Sequence, residues 1–136
     1  MAPSIDDIRN WIETHISDVY VDATTPDLFF FAGNERSFPF ATVVTHDDEH
    51  DRSSDLDREG VFRLNMAVSK SDFARLFPDL GSRTALENAH IDYRQMDVLF
   101  PHPVYGRMSW VSSLNPDRVW GDCQSLMLNA NGTRTQ

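Results

Sequence analysis

Residues 61–68 restrict the fold more than any other segment, because large apolar side chains recur at every second position along them. The apolar side chains of this series belong to Phe62, Leu64, Met66 and Val68. The side chains that alternate with them belong to Arg63, Asn65 and Ala67. This period of two predicts a β-strand that turns its apolar face toward a core.

A helix precedes this strand near the start of the chain. Isoleucine recurs there at helical spacing, at Ile5, Ile8, Ile12 and Ile16. Ser4 stands where its side chain can cap the first turn, so the pattern predicts a helix that packs on a sheet. Two β-rich runs follow at residues 28–32 and 38–45, and residues 33–37 supply the turn of an antiparallel pair.

The second half of the chain returns to helical patterns. Ser69 predicts the start of a short helix that Pro78 ends. Residues 79–100 favour mainly helix, with a strand as the alternative over residues 93–100, and residues 108–114 suit a strand. Asn115 is expected to cap a last helix with Pro116 at its first position, and residues 129–136 are expected to fray.

The order of these elements predicts an α+β fold. Strands follow one another instead of alternating with helices, which argues against a parallel doubly wound sheet. A chain of 136 residues, 40% hydrophobic, suffices for one core. We therefore expect a single compact domain over residues 1–128, with an antiparallel β-sheet packed by N-terminal and C-terminal helices.

The charge of the chain restricts its partners. Twenty-one acidic residues stand against 12 basic ones, a formal net charge of −9. Nucleic acid and anionic membranes are bound through clustered Lys and Arg, so neither is expected as a partner. No stretch has the composition of a signal peptide or membrane span, and Cys123 is the single cysteine, so a cytoplasmic protein without an internal disulfide is expected. Phosphate-loop and dinucleotide motifs are absent, and no cofactor is expected.

Residues 46–59 hold seven acidic side chains and two histidines. Because carboxylates bind hard cations and imidazole binds transition metals, His46, Asp48 and His50 are weak candidates for a metal site in a metal-assisted enzyme. The segment has no apolar stripe to hold a helix, and it misses the calcium-hand pattern. A solvated acidic loop without a metal is the favoured interpretation.

Arg63 and Asn65 share the face of their strand that points away from the apolar side chains. If a loop or helix covers that face, a guanidinium and an amide can hold a carboxylate, a phosphate or another polar ligand. If nothing covers it, both are ordinary solvated side chains. The two alternatives remain open at this point.

Residues 101–110 gather the densest set of specific groups in the chain. Two prolines keep the backbone around His102 extended, and Tyr105 and Trp110 add a phenol and a flat apolar ring. These groups suit a ligand site, whereas a rigid turn with structural hydrogen bonds is the alternative. No nucleophile with an oxyanion motif accompanies them, so no catalytic residue is assigned.

The segments SFPFATVVT (37–45), GVFRLNMAVS (60–69) and PHPVYG (101–106), continued by SWV and LNP, resemble a small bacterial family known only as a domain of unknown function. In element order and in the segment from His102 to Trp110, the chain also resembles, more distantly, the MmcQ/YjbR-like proteins. That likeness implies a compact α+β domain and a double-wing nucleic-acid-binding module as one alternative function. The acidic charge conflicts with nucleic-acid binding.

These observations favour a non-catalytic module that binds a small polar ligand or a protein partner. The predicted ligand-binding residues are Arg63, Asn65, His102, Tyr105 and Trp110. A homodimer stays open, because nine Phe and three Trp are enough to leave an apolar surface uncovered. The sequence leaves undecided whether the predicted residues meet in one place.

Overall fold

The computed structural model describes residues 2–131, which fold around one antiparallel sheet of six strands. In chain order the strands are β1 Val19–Asp22, β2 Leu28–Ala32, β3 Ala41–Val44, β4 Arg63–Ala67, β5 Phe100–Pro101 and β6 Trp110–Leu114. The helices are α1 Ile5–His15, α2 Lys70–Leu76, α3 Arg83–Glu87 and α4 Trp120–Asn131, with single turns of 3-10 helix at Pro78–Leu80 and Gly106–Met108. Across the sheet the order is β1-β2-β3-β4-β6-β5. The predicted α+β class and antiparallel sheet are confirmed.

Helix α1 begins where the sequence predicts, at a reciprocal cap. The Ser4 hydroxyl accepts a hydrogen bond from the Asp7 N–H at 3.1 Å, and the Asp7 carboxylate accepts one from the Ser4 N–H at 2.9 Å. Two otherwise unpaired donors of the first turn are thereby satisfied. The helix then buries Ile8 and Ile12 completely against the sheet.

The main core lies between one face of the sheet and helices α1 and α4. Its fully buried members include Ile8, Ile12, Phe30, Leu64, Met66, Val111, Cys123 and Met127. Strand β4 contributes its apolar series here, as its alternation predicts. Of the helices formed by residues 2–131, none combines the length and apolar character needed to cross a bilayer.

The segment 79–100 differs from the prediction of mainly helix. Helix α3, capped by the Ser82 hydroxyl on the Ala85 N–H at 3.0 Å, is confirmed but spans only five residues. Residues 88–99 then form turns and a single bridge, because their apolar side chains pack as a second, small cluster instead of as a helical stripe. The predicted strand at 108–114 begins at Trp110, and Met108 is exposed in the preceding turn. The sequence did not predict β1.

Helix α4 begins later than Asn115, because a different side chain caps the turn that leads into it. The Asp97 carboxylate accepts hydrogen bonds from the N–H groups of Asp117, Arg118 and Val119 at 2.8 to 3.1 Å. The Asn115 side chain is occupied elsewhere, with the Phe62 N–H and the Gly60 carbonyl. At its other end α4 reaches Asn131, three residues into the segment 129–136 that was expected to fray. Residues 132–136 lie outside the described residues.

Candidate functional site

The second face of the sheet carries a row of polar side chains beside the smaller hydrophobic cluster. Thr42, Asn65 and Ser112 lie opposite one another on β3, β4 and β6. The Asn65 amide donates to Thr42 Oγ1 at 2.9 Å, and the Ser112 hydroxyl donates to Asn65 Oδ1 at 2.7 Å. The row is a direct result of the strand period, which places every second residue of β4 on this face.

Arg63 lies on the same face, two residues before Asn65, and its side chain is completely buried. Its Nε donates to Asn65 Oδ1 at 2.8 Å. Its Nη1 donates to Asp51 Oδ1 at 3.1 Å and to Ser54 Oγ at 3.0 Å, while Nη2 donates to Asp51 Oδ2. A planar guanidinium thus meets a carboxylate through two parallel bonds, the strongest arrangement for this pair.

Asp51 comes from the loop between β3 and β4, residues 45–62, which we call the acidic loop. Two backbone hydrogen bonds between Asp48 and Asp51, of 3.1 and 3.3 Å, tighten its tip. The Asp47 carboxylate accepts the Leu56 N–H at 2.9 Å, and Leu56 packs with Phe100 in the smaller core cluster. The loop therefore covers Arg63 and Asn65, which decides between the two alternatives left open by the sequence.

The weak metal candidates are not brought together. His46 lies 3.5 Å from Asp27 Oδ1, whereas His50 is exposed and pairs with Glu49 at 3.5 Å. Asp48 uses one carboxylate oxygen to accept the His50 N–H at 2.7 Å. Within residues 2–131, no group of three or more His, Cys, Asp or Glu side chains is placed to hold a metal ion.

His102 follows β5 and completes the cluster from a third direction. Its Nδ1 accepts hydrogen bonds from the backbone N–H groups of Val104 at 3.0 Å and Tyr105 at 3.1 Å. Because both groups are donors, Nδ1 carries the lone pair and the proton sits on Nε2. Nε2 lies 3.4 Å from Arg63 Nη2 and 4.0 Å from Asp51 Oδ2. The protonated Nε2 therefore lies beside both the guanidinium of Arg63 and the carboxylate that neutralises it.

The pKa of His102 is lowered to about 3, chiefly by burial and also by the nearby Arg63 cation, while Asp51 opposes both effects. The imidazole is therefore neutral in the folded protein at neutral pH. An ordinary histidine titrates near pH 6.5 in the unfolded chain. Between these two values the unfolded chain binds the additional proton, so acidification favours unfolding.

We expect the free energy of unfolding to stay constant above about pH 6.5 with respect to His102 and to fall as the pH drops toward 3. Urea unfolding at a series of pH values measures this slope. His102→Asn is the matched control, since its Oδ1 can accept the same two backbone N–H groups but does not titrate. The variant is expected to have a shallower slope between pH 6.5 and 4. Equal slopes for both proteins would contradict the lowered pKa of His102 in the folded protein.

Tyr105 and Trp110 lie at the rim of this cluster. The His102 ring centroid is 5.0 Å from that of Tyr105 and 6.3 Å from that of Trp110. Tyr105 is 48% exposed, and Trp110 is partly buried. Three of the predicted residues thus meet in a buried cluster, and the other two contact its histidine.

The sequence missed Asp51, Ser54, Thr42 and Ser112 as members of the cluster. Thr42 and Ser112 could have been predicted from the sequence, because antiparallel pairing of alternating strands places them beside Asn65. Asp51 was one acid among seven, with no pattern that set it apart. Among residues 2–131, no buried side-chain nitrogen or oxygen lacks a hydrogen-bond partner, so the cluster is a closed network and not an open pocket.

Cys123, the one thiol of the chain, lies far from this chemistry. It is completely buried in the main core, and burial raises its pKa to about 12, with Asp122 and Asp97 adding to the effect. A nucleophilic cysteine needs access and a lowered pKa. Cys123 therefore serves as a small apolar core residue.

Residues 3–136 of this chain fit the family described as "Family of unknown function (DUF6194)". The comparison with curated proteins found no match, and neither did the comparison with solved structures. The more distant resemblance to the MmcQ/YjbR-like proteins accordingly stays a prediction.

Proposed function

The chain belongs to the family of unknown function DUF6194, and from this premise we propose that it is a non-catalytic module that binds a carboxylate. The carboxylate belongs to a small polar ligand or to an acidic side chain of a protein partner. The proposed site consists of the five residues predicted from the sequence. Arg63 and Asn65 form its base, His102 its wall, and Tyr105 and Trp110 its rim.

The observation that supports this proposal is that the negative charge that neutralises Arg63 comes from a loop and not from the sheet. The guanidinium and its neutral partner Asn65 are fixed on a central strand, whereas the carboxylate of Asp51 comes from the irregular acidic loop. Asp51 is 18% exposed and is followed by the exposed residues Arg52 and Ser53. A carboxylate from outside that takes the place of Asp51 would meet the same two parallel donors.

Exchange of this kind leaves the buried charge compensated throughout. Removing the partner of a buried ion is strongly unfavourable, but replacing it by a group of the same charge and geometry is not. The remaining bonds of Arg63 to Asn65 and Ser54 do not involve Asp51. The two aromatic rings at the rim are then free to pack against the body of the ligand.

The state of the titratable groups supports binding over catalysis. A general base works best with a pKa near the operating pH, and the pKa of His102 is lowered to about 3. Its Nδ1 lone pair is already occupied by two backbone donors. The Cys123 thiol, with a pKa raised to about 12, is no better suited to act as a nucleophile.

Removing the internal carboxylate tests the site directly. Asp51→Ala leaves Arg63 buried without its anion, so the variant is expected to unfold at a lower temperature than the wild type. Added formate or acetate is expected to restore part of the lost stability, because each supplies the missing carboxylate. Thermal unfolding in sodium acetate is compared with that in sodium chloride at the same ionic strength.

Asp48→Ala is the matched control, since it removes one exposed carboxylate from the same loop without touching Arg63. Acetate and chloride are expected to affect Asp48→Ala equally. If acetate stabilises Asp51→Ala no more than it stabilises Asp48→Ala, the Arg63 site does not accept a carboxylate from outside and the proposal is wrong.

A further inference from the structure

A cavity, separate from the Arg63 cluster, lies between α2, α3 and the turn at Gly106–Met108. Its volume is about 280 Å³. Its lining consists of Lys70, Phe73, Ala74, Leu80, Gly81, Ser82, Arg83, Leu86, Gly106, Arg107 and Ser109. Small-molecule sites usually measure about 300–1,000 Å³, so this cavity has room for a small ligand only.

The charge of this cavity is opposite to that of the chain. Three of its lining residues are basic, including Lys70, the only lysine, and none is acidic. Arg83 pairs with Glu87 at 3.0 Å. Neither Lys70 nor Arg107 has an ion pair with any other residue in the range 2–131. In a chain of net charge −9, two unpaired cations at one cavity create a local preference for an anion.

Phe73, Ala74, Leu80 and Leu86 supply the apolar part of the lining. Phe73 is 8% exposed and belongs to the main core. Leu86 packs directly on the backbone of the buried Gly106, where an added Cβ would come within 3.4 Å of its Cδ2 and 3.1 Å of the Pro101 side chain. This close approach packs α3 against the turn at Gly106–Met108.

We propose that this cavity binds a small organic anion with an apolar body, such as a medium-chain carboxylate. The apolar body lies against Phe73, Leu80 and Leu86, and the anionic group faces Lys70 and Arg107. The cavity thus binds both the apolar end and the anionic end of an amphipathic ligand. This site is independent of the Arg63 cluster and does not rest on the function proposed for it.

Three ligands with one apolar chain and different head groups test the site on the wild-type protein. Calorimetric titration at low ionic strength is expected to give saturable one-to-one binding of sodium octanoate. Octanol and octylamine are expected to bind less tightly, because neither offers an anion to the two cations. Nuclear magnetic resonance is expected to place the shifts caused by octanoate at Phe73, Leu86 and Gly106.

Two charge-removing variants and a control complete the test. Lys70→Gln and Arg107→Gln are each expected to weaken octanoate binding by about two- to fivefold, the range for exposed ion pairs, and to leave octanol binding unchanged. Arg52→Gln removes an exposed arginine on the acidic loop that does not line the cavity, and it is expected to have no effect.

Equal affinity for the three head groups, or unchanged octanoate binding in both charge-removing variants, would overturn the proposal. Shifts centred on Arg63 and His102 would overturn it too, since they would mean that the carboxylate enters the other cluster. The acetate experiment on Asp51→Ala is unaffected by any of these outcomes, so failure of one proposal is distinguishable from failure of the other.

Discussion

Arg63→Met is expected to lower the free energy of unfolding by about 3–5 kcal/mol, the usual cost of breaking a buried ion pair by removing one partner. Methionine fills part of the same space but supplies none of the donors of the guanidinium. Asp51 loses both of its bonds, and Asn65 and Ser54 lose one partner each. Equilibrium unfolding in urea measures the loss.

The double variant Arg63→Met, Asp51→Leu separates the charge from the packing. Replacing both members of a buried pair by apolar side chains is often neutral or stabilising, so most of the loss is expected to be recovered. Arg94→Met is the control for an exposed pair, the one with Asp92, and is expected to cost at most about 1 kcal/mol. A double variant no more stable than Arg63→Met would contradict the assignment of the loss to the Asp51 carboxylate left without its cation.

Phe30→Ala is expected to cost about 3–5 kcal/mol, because Phe30 is completely buried on β2 in the main core. Its ring lies 6.4 Å from that of Phe40, centroid to centroid, and the truncation leaves a cavity that the sheet cannot close. Urea unfolding measures the change in the free energy of unfolding.

Phe38→Ala is the matched control, since Phe38 belongs to the same aromatic-rich region but is 76% exposed. Its expected effect on stability is within about 0.5 kcal/mol. Similar losses for both variants would mean that Phe38 is covered in solution, for example by a second copy of the chain. The homodimer left open by the sequence would then gain support.

The sequence predicts the fold well wherever hydrophobic periodicity is long. Helix α1, with its cap, and the alternation of β4 follow from local patterns, and both are confirmed. Strand β1 is only four residues long and none of its side chains is fully buried, so it leaves no comparable pattern. The apolar side chains of residues 88–99 recur with no fixed period and pack on the small second cluster. The prediction of mainly helix was therefore wrong for these residues.

Only part of the candidate site could be predicted from the sequence, again because regular strands have a residue pattern and loops do not. Arg63 and Asn65 stand out in the sequence because their polarity interrupts an otherwise buried strand. Asp51 does not stand out in the sequence, because its contact with Arg63 depends on how the acidic loop folds over the sheet. Loops have no regular residue spacing from which such contacts can be predicted. The same holds for Asp97, whose carboxylate caps a segment 20 residues further along the chain.

That distant cap makes the C-terminal helix part of a larger cooperative unit. Asp97 is itself tied to β6, because its N–H donates to the Leu114 carbonyl at 2.8 Å. If residues 88–99 separate from the sheet, the turn before α4 loses three acceptor contacts at once. Amide hydrogens at the start of α4 and in residues 88–99 should then exchange with solvent through one shared opening, in place of independent fraying of the helix end.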